Sequence, residues 1–173
     1  CLAELMPERM LNFSVWGRNS AAAQNLAHEL SSHRLTVRAV AELEDEVSNA
    51  DIIITTTPAV SPLFADGLVR SGTHVTAIGA DSPGKQELPV GLVTSASLRV
   101  CDLLGQSLDH GEFQAAKRAD PSLDVTELGH VLSGMHYGRR SKDDITVVDL
   151  TGIAAQDIAI TQAIIDAAAS NKT

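Results

Sequence analysis

The sequence is poor in aromatic residues, cysteines and long apolar runs. Phe, Trp and Tyr make up only 3% of its 173 residues, so a hydrophobic core has to be built mainly from Ala, Val, Ile and Leu, as in parallel α/β folds. Two cysteines, Cys1 and Cys101, are too few for a disulfide framework. No apolar run reaches the ~18 residues of a membrane span. These absences predict a soluble cytoplasmic protein with no membrane partner.

Basic residues are scarce too, with 13 Lys and Arg against 22 Asp and Glu and a net charge of −9. Binding of nucleic acid needs a surplus of Lys and Arg on one face, so we expect no nucleic-acid partner. The histidines and cysteines show no metal-ligand spacing, and we expect no metal site. The nucleophile-elbow, zinc-protease and Walker motifs are also missing from the sequence.

What the chain does contain is a regular alternation of apolar strands and helical segments. Strand patterns cover residues 11–16, 35–40, 51–55, 74–78, 97–101 and 145–148. Helical patterns follow Asn19 or Ser20, cover 43–47 and 154–169, and dominate the polar region 106–140. This alternation predicts βαβ units with right-handed crossovers, and therefore a doubly wound parallel α/β sheet of the Rossmann type. The uninterrupted apolar run at 51–55 predicts a central strand of that sheet.

Ligands of open α/β sheets bind beyond the carboxyl ends of the strands, so the loops that follow the predicted strands are the candidate site. The first loop contains Gly17, Arg18 and Asn19. In a dinucleotide-binding fold an acidic residue near this strand end binds the ribose 2′-hydroxyl, whereas an arginine accommodates a 2′-phosphate. Arg18 therefore favours NADP(H) over NAD(H). The alternative is an arginine at the surface of a turn, with Asn19 as a helix cap.

Two further loops carry groups suited to chemistry. Thr55 to Thr57 end the strand at 51–55, and their hydroxyls either contact a cofactor or satisfy the loop backbone. Asp81 lies between two glycines with Lys85 four residues on, a placement suited to an acid/base group at the crevice. The alternative is an ordinary turn, because turns with no part in catalysis are also rich in Asp, Pro and Gly.

Four longer stretches carry a resemblance to a known family. They are VWGRN (15–19), ADIIITTTPA (50–59), VTAIGADSPGKQEL (75–88) and ELGHVLSGMHYGRRSKDDITVVDLTGIAAQDIA (127–159). Together they resemble the ornithine cyclodeaminase/μ-crystallin family, which includes archaeal-type alanine dehydrogenases and ketimine reductases. The resemblance follows the family's order through nearly the whole chain, and its GADSPGKQEL and ITVVDLTGIAAQD stretches are specific.

The resemblance implies a Rossmann-type NAD(P)-binding domain over residues 1–149, incomplete at its N-terminus because it lacks the family's first strand and glycine-rich loop. Residues 1–10 resemble the helix that follows that loop. Residues 150–173 resemble a C-terminal helix, expected to pack toward a missing N-terminal domain for substrate binding and dimerisation. A homodimer through that domain is expected, and the 173 residues alone are expected to turn over little or no substrate.

The resemblance also implies roles for individual residues. Asp81 matches the family's catalytic aspartate, which exchanges a proton with the substrate nitrogen or an attacking water. Thr151, beside Gly152, matches the position whose backbone meets the substrate. Leu150 stands at a cofactor-binding position that usually holds a serine, a departure that affects the hydrogen bond made there. The other positions implied to contact or approach the cofactor are Arg18, Asn19, Thr57, Val75, Thr76, Ala77, Ile78 and Lys85.

The resemblance implies a reductase or dehydrogenase that transfers hydride between NAD(P)H and a small imino or amino acid, as ketimine reductases and alanine dehydrogenases do. The alternative is a lyase that converts ornithine to proline and ammonia with a tightly held NAD; Arg18 weighs against it. A second alternative is a non-enzymatic binding protein like μ-crystallin, against which the intact GADSPGKQEL loop argues.

Overall fold

The structure is a computed structural model that describes residues 11–31 and 35–170. The helix expected over residues 1–10 lies outside the described residues, as does Cys1. The chain divides into two compact units, one ending at Asn49 and the other beginning at Ala50. Each unit is described by itself.

The described part of the first unit contains two strands and two helices, β1 (Leu11–Val15), α1 (Ser20–Leu30), β2 (Leu35–Ala39) and α2 (Glu44–Asn49). The two strands are parallel and pair over all five residues. Helix α1 begins where the sequence predicts, because the Asn19 side chain accepts a hydrogen bond of 3.1 Å from the Ala22 N–H. That bond satisfies one of the backbone donors that the first turn of a helix leaves unpaired.

The second unit contains a five-stranded sheet in which every strand pair is parallel. Its strands are β3 (Ile52–Thr55), β4 (His74–Ala77), β5 (Leu98–Cys101), β6 (Thr126–Glu127) and β7 (Thr146–Asp149), in the spatial order β3-β4-β7-β5-β6. Its helices are α3 (Val90–Ser95), α4 (Leu104–Asp109), α5 (Phe113–Ala119), α6 (Leu128–Leu132) and α7 (Ala154–Ser170). Parallel pairing throughout confirms the predicted α/β class.

The core of the second unit is mainly aliphatic, as the low aromatic content predicts. Val75 and Ala77 of β4 and Val147 of β7 are fully buried, and Leu88 and Phe113 are fully buried beyond the strands. Burying one side chain of the size of Val or Leu contributes roughly 1.5–3 kcal/mol. The alternation of buried and half-buried residues along β4 shows that one face of this strand is packed more tightly than the other.

Two strands differ from the sequence-based prediction. The apolar run at 51–55 predicts a central strand, but β3 lies at an edge of the five-stranded sheet in the described part of the chain. Ile52 and Ile54 are accordingly 41% and 50% exposed. Strand β6 lies inside the region 106–140, for which the sequence predicts helix. It has only two residues, which is too short for a period-two pattern to be visible.

Helix α7 is the longest described helix, and its side chains are exposed from residue 154 to residue 169. Ile158, Ile160, Ile164 and Ile165 are each more than half exposed. The packing of residues 150–173 toward another domain stays a prediction. Within 11–31 and 35–170, no helix is both long and apolar enough to cross a membrane.

Candidate active site

The carboxyl ends of β3, β4 and β7 lie at one level of the sheet. The pairing register places Thr55 beside Ala77 and Ala77 beside Asp149. The ladder continues one residue further, since the Ile78 N–H donates to the Thr55 carbonyl and the Leu150 N–H to the Ala77 carbonyl, both at 2.9 Å. The loops after these strands therefore start side by side, at the edge where open α/β sheets bind their ligands.

Asp81 and Lys85 meet on the loop after β4. The Lys85 ammonium lies 2.5 Å from Asp81 Oδ1, and the Ser82 hydroxyl donates to the same oxygen at 3.0 Å. The hydrogen bond from Lys85 is the main reason why the pKa of Asp81 lies below its usual value. The Asp81 side chain is 58% exposed, so this carboxylate is ionised near neutral pH and accessible to a small molecule.

A buried glutamine, Gln114 of α5, holds the turn between Asp81 and Lys85. Its Nε2 donates to the Lys85 carbonyl at 3.1 Å, and its Oε1 accepts from the Gly84 N–H at 2.9 Å. Gly84 has a φ of +85°, a conformation that favours glycine. The loop that carries Asp81 is thus anchored to a helix by side-chain hydrogen bonds to Gly84 and Lys85.

A second buried residue, Glu87, joins the loops after β3 and β4. Its Oε2 accepts from the Thr55 hydroxyl at 2.7 Å and from the Gly79 N–H at 2.9 Å, and its Oε1 accepts from the Thr57 N–H. The Thr55 hydroxyl therefore bonds to a protein carboxylate, which is neither of the two roles predicted for this loop, whereas the Thr57 hydroxyl accepts from the Ala59 N–H at 3.3 Å and so satisfies the loop backbone. Gly79 is required here, because a Cβ would lie 2.1 Å from the Thr57 carbonyl oxygen.

Two more buried carboxyl groups support Glu87. The Glu112 carboxylate accepts from the Glu87 N–H, at 2.9 and 3.1 Å to its two oxygens, and from the Leu88 N–H at 2.6 Å. The Glu112 N–H in turn donates to Asp149 Oδ2 at 2.9 Å, and the Ser107 hydroxyl donates to the same oxygen. Burial raises the pKa of Glu112 to about 8 and that of Asp149 to about 6. Glu87, Glu112 and Asp149 are called the carboxylate network below.

The loop after β7 is fixed by Asp102, which follows β5. The Thr151 hydroxyl donates to Asp102 Oδ1 at 2.9 Å, and the Gly152 N–H donates to Oδ2 at 2.7 Å. Gly152 has a φ of +84°, so the backbone turns sharply after Thr151. Leu150 is half-buried and bonds to β4 through its backbone alone. It has no side-chain donor in place of the family's serine.

The β4 residues implied to line the cofactor face different environments. Val75 and Ala77 have fully buried side chains, so only their backbone is available to a ligand. Thr76 bonds to His74 Nε2 at 3.1 Å, and burial lowers the pKa of that histidine. Ile78, which directly follows β4, differs from them, since its side chain is 44% exposed.

Arg18 and Asn19 belong to the first unit and are exposed. Asn19 acts as the helix cap that the sequence offered as the simpler interpretation. The described residues contain no group of three or more His, Cys, Asp or Glu side chains that could hold a metal ion. Cys101 is buried, and burial raises the pKa of its thiol to about 12, so this thiol is not a nucleophile near neutral pH.

The sequence-based interpretation missed the residues that hold the loops. These are Glu87, Asp102, Glu112, Gln114 and Asp149. A polar residue in or beside a loop is usually solvated, and nothing in the local pattern marks these side chains as buried. Glu87 and Asp149 are the exceptions, because they lie within the GADSPGKQEL and ITVVDLTGIAAQD stretches, and their places there are a signal that could have found them.

The parallel sheet, with its loops gathered at the carboxyl ends of the strands, defines an α/β protein of the Rossmann type. The chain belongs to the ornithine cyclodeaminase/mu-crystallin family, whose profile matches residues 5–172.

Three similar proteins represent this family. The chain is 40% identical to an alanine dehydrogenase of Archaeoglobus fulgidus over 73% of its length and 40% of that protein. It is 36% identical to an iminosuccinate reductase of Paracoccus denitrificans over 88% of its length and 48% of that protein. An archaeal alanine dehydrogenase dimer solved with bound NAD superposes with a TM-score of 0.84 at 32% identity, over 94% of the chain and 51% of that structure. The chain thus spans about half the length of the relatives it matches.

Proposed function

We propose that this chain forms the nucleotide-binding part of an NAD(P)-dependent reductase or dehydrogenase for a small imino or amino acid. The observation that carries the proposal is the Asp81–Lys85 pair, which offers an accessible anion at the edge of the sheet where ligands of such folds bind. The similarity to an alanine dehydrogenase and an iminosuccinate reductase supports the substrate class.

The surface beside Asp81 suits the flat ring of a nicotinamide. Ile78 is 44% exposed and Leu150 is half-buried, and they follow neighbouring strands. Apolar side chains with a few placed polar groups are typical of cofactor sites. Thr57 offers a hydroxyl on the adjacent loop, where its oxygen accepts from the Ala59 N–H at 3.3 Å and its hydrogen remains able to donate.

In this proposal the nucleotide supplies or removes the hydride, and Asp81 handles the proton. An ionised Asp81 accepts a proton from the amino group during oxidation and returns it to the nitrogen during reduction. Lys85 keeps the carboxylate ionised and fixes its orientation. The backbone of Thr151, held by Asp102, is proposed to contact the substrate.

The test is a steady-state assay of the full gene product. NADPH or NADH is supplied with Δ1-pyrroline-2-carboxylate, with Δ1-piperideine-2-carboxylate, or with pyruvate or oxaloacetate plus ammonia. We expect nucleotide oxidation with at least one of these substrates, and a fall in kcat of about 100-fold or more for Asp81→Asn.

Two outcomes would contradict the proposal. Proline and ammonia formed from ornithine with only catalytic amounts of NAD would indicate a lyase. Binding of nucleotide and amino acid without turnover of any substrate would indicate a binding protein.

We further propose that NADP(H) is preferred over NAD(H), because Arg18 stands where a guanidinium accommodates a 2′-phosphate. Arg18→Ala is expected to weaken the binding of NADPH about ten-fold or more while changing the Kd for NADH little, since only the phosphate contact is lost. Titration calorimetry with both nucleotides measures this ratio. Arg140→Ala, which removes another exposed arginine, is the matched control. Equal loss of both affinities in Arg18→Ala would refute the preference.

A further inference from the structure

Glu87 lies in a loop, where the side chain of a glutamate is normally solvated. It is fully buried, and no described Lys or Arg forms an ion pair with it. A buried carboxylate without a cation is costly unless hydrogen-bond donors surround it. Here the donors come from the last residue of β3, Thr55, from Thr57 in the loop after it, and from Gly79 after β4.

The backbone of Glu87 is itself held in place. Its N–H donates to Glu112, whose own N–H donates to Asp149 at the end of β7. Two close approaches require glycine. A Cβ on Gly79 would lie 2.7 Å from Glu87 Cδ, and a Cβ on Gly111 would lie 2.3 Å from Asp149 Oδ2. The carboxylate network therefore ties together the ends of the three strands that border the candidate site.

We propose that Glu87 is a positioning residue, which fixes the Thr57 segment relative to the Asp81 loop without touching cofactor or substrate. Its consequence for catalysis rests on the proposed function, in which Thr57 contacts the nucleotide and Asp81 exchanges a proton. One carboxylate accepts from both segments, so the separation of these two contacts is set by a single rigid group.

An amide side chain has one oxygen that accepts hydrogen bonds, whereas a carboxylate has two. Glu87→Gln keeps the size of the side chain but replaces one oxygen by an NH2 group, which donates. The NH2 group faces either the Thr57 N–H or the pair formed by the Thr55 hydroxyl and the Gly79 N–H. On the side that it faces, two N–H donors oppose each other and the hydrogen bond of the wild type is lost. Displacement of reacting groups by about 1 Å costs on the order of 100-fold in rate.

The first experiment measures hydrogen exchange of the full gene product and of its Glu87→Gln variant. We expect the Thr57 amide or the Gly79 amide, whichever faces the new NH2 group, to exchange about ten-fold faster or more in the variant, while amides of β7 keep their protection. Val100→Ala, a truncation in the core of β5, is the control for general loss of stability and should leave the ratio between these sites unchanged. Unchanged protection at Thr57 and Gly79 in a folded Glu87→Gln variant would overturn the proposal, whatever the protein catalyses.

The second experiment separates binding from chemistry. Glu87→Gln is expected to lower kcat about 10- to 100-fold and to raise the deuterium isotope effect with 4-deuterated nucleotide, while the Kd for the nucleotide changes less than about three-fold. A merely structural role would lower the active fraction and leave the isotope effect unchanged. If the wild type turns over no substrate, the proposed function fails. The exchange experiment then decides by itself whether Glu87 holds the Thr57 segment relative to the Asp81 loop.

Discussion

At the scale of single residues, Asp81 and Lys85 act as one electrostatic unit. The turn between them is closed by the Lys85 N–H, which donates to the Ser82 carbonyl at 3.1 Å, and this brings the ammonium back onto the carboxylate. The Asp81 side chain is 58% exposed, so solvent screens the pair and its contribution to stability is small. Their importance lies in the proton affinity of Asp81, which the cation lowers.

Replacement of Lys85 by Met tests this unit. The change removes the cation that lowers the pKa of Asp81, so the carboxylate becomes protonated at a higher pH. If Asp81 must be ionised to accept a proton, the acidic limb of kcat/KM for amine oxidation shifts to higher pH. The measurement is a pH–rate profile of the full gene product.

Lys85→Arg provides the control, because it keeps a cation in place and is expected to leave the limb close to its wild-type position. A limb that stays where it is in Lys85→Met would show that a group other than Asp81 limits the rate at low pH.

The sequence predicts part of this residue-scale arrangement. Asp81 and Lys85 are found from their spacing between glycines after an apolar strand. Glu87 and Gln114 are not recognised as loop anchors, because a Glu in a loop or a Gln in a short helix is normally solvated. Only the packing of α5 against the loop makes them buried acceptors and donors.

At the scale of elements, the carboxylate network joins β7, the start of α5 and the loops after β3 and β4. Burial raises the pKa of Glu112 to about 8 from its usual value of 4.5. Between these two values the folded state binds more protons than the unfolded state. The free energy of unfolding therefore falls as pH rises through this interval.

Glu112→Gln removes this titration and keeps an oxygen that can accept from Glu87 and Leu88. We expect the melting temperature of the variant minus that of the wild type to become more positive from pH 5 to pH 8.5. The change is about 2–4 °C for each kcal/mol of unfolding free energy that the wild type loses over this interval. Thermal unfolding followed by circular dichroism measures it. Asp124→Asn, at an exposed carboxylate, should show no such trend. A difference that stays constant with pH would mean that Glu112 titrates normally.

Helices and strands are largely predictable from the sequence where their periodicity is long. The strands over 11–16, 35–40 and 74–78 are found within one or two residues of their bounds, and the cap of α1 is found at Asn19. Among the described residues β3 lies at an edge of its sheet, and its apolar run does not predict this, because composition reports what a strand can bury and not which strands lie beside it. Strand β6 owes its existence to its pairing with β5.

At the scale of the whole molecule, membership of the ornithine cyclodeaminase/mu-crystallin family rests on a match over residues 5–172. The described structure adds the order of the five strands, with β7 between β4 and β5. That order brings Leu150 and Thr151 next to the loops after β3 and β4, although about 70 residues or more separate them in sequence. The candidate site is a product of this topology.

The sequence by itself determined the α/β class, the family and the position of Asp81 and Lys85, because these depend on local periodicity and on contiguous motifs. The tertiary structure decided which strand ends meet and which polar side chains are buried between them. Burial and hydrogen bonding join residues that are distant along the chain, as Glu87, Glu112 and Asp149 are. The raised pKa values of Glu112 and Asp149, and the loop geometry that these bonds hold, arise only when folding removes water from around the side chains.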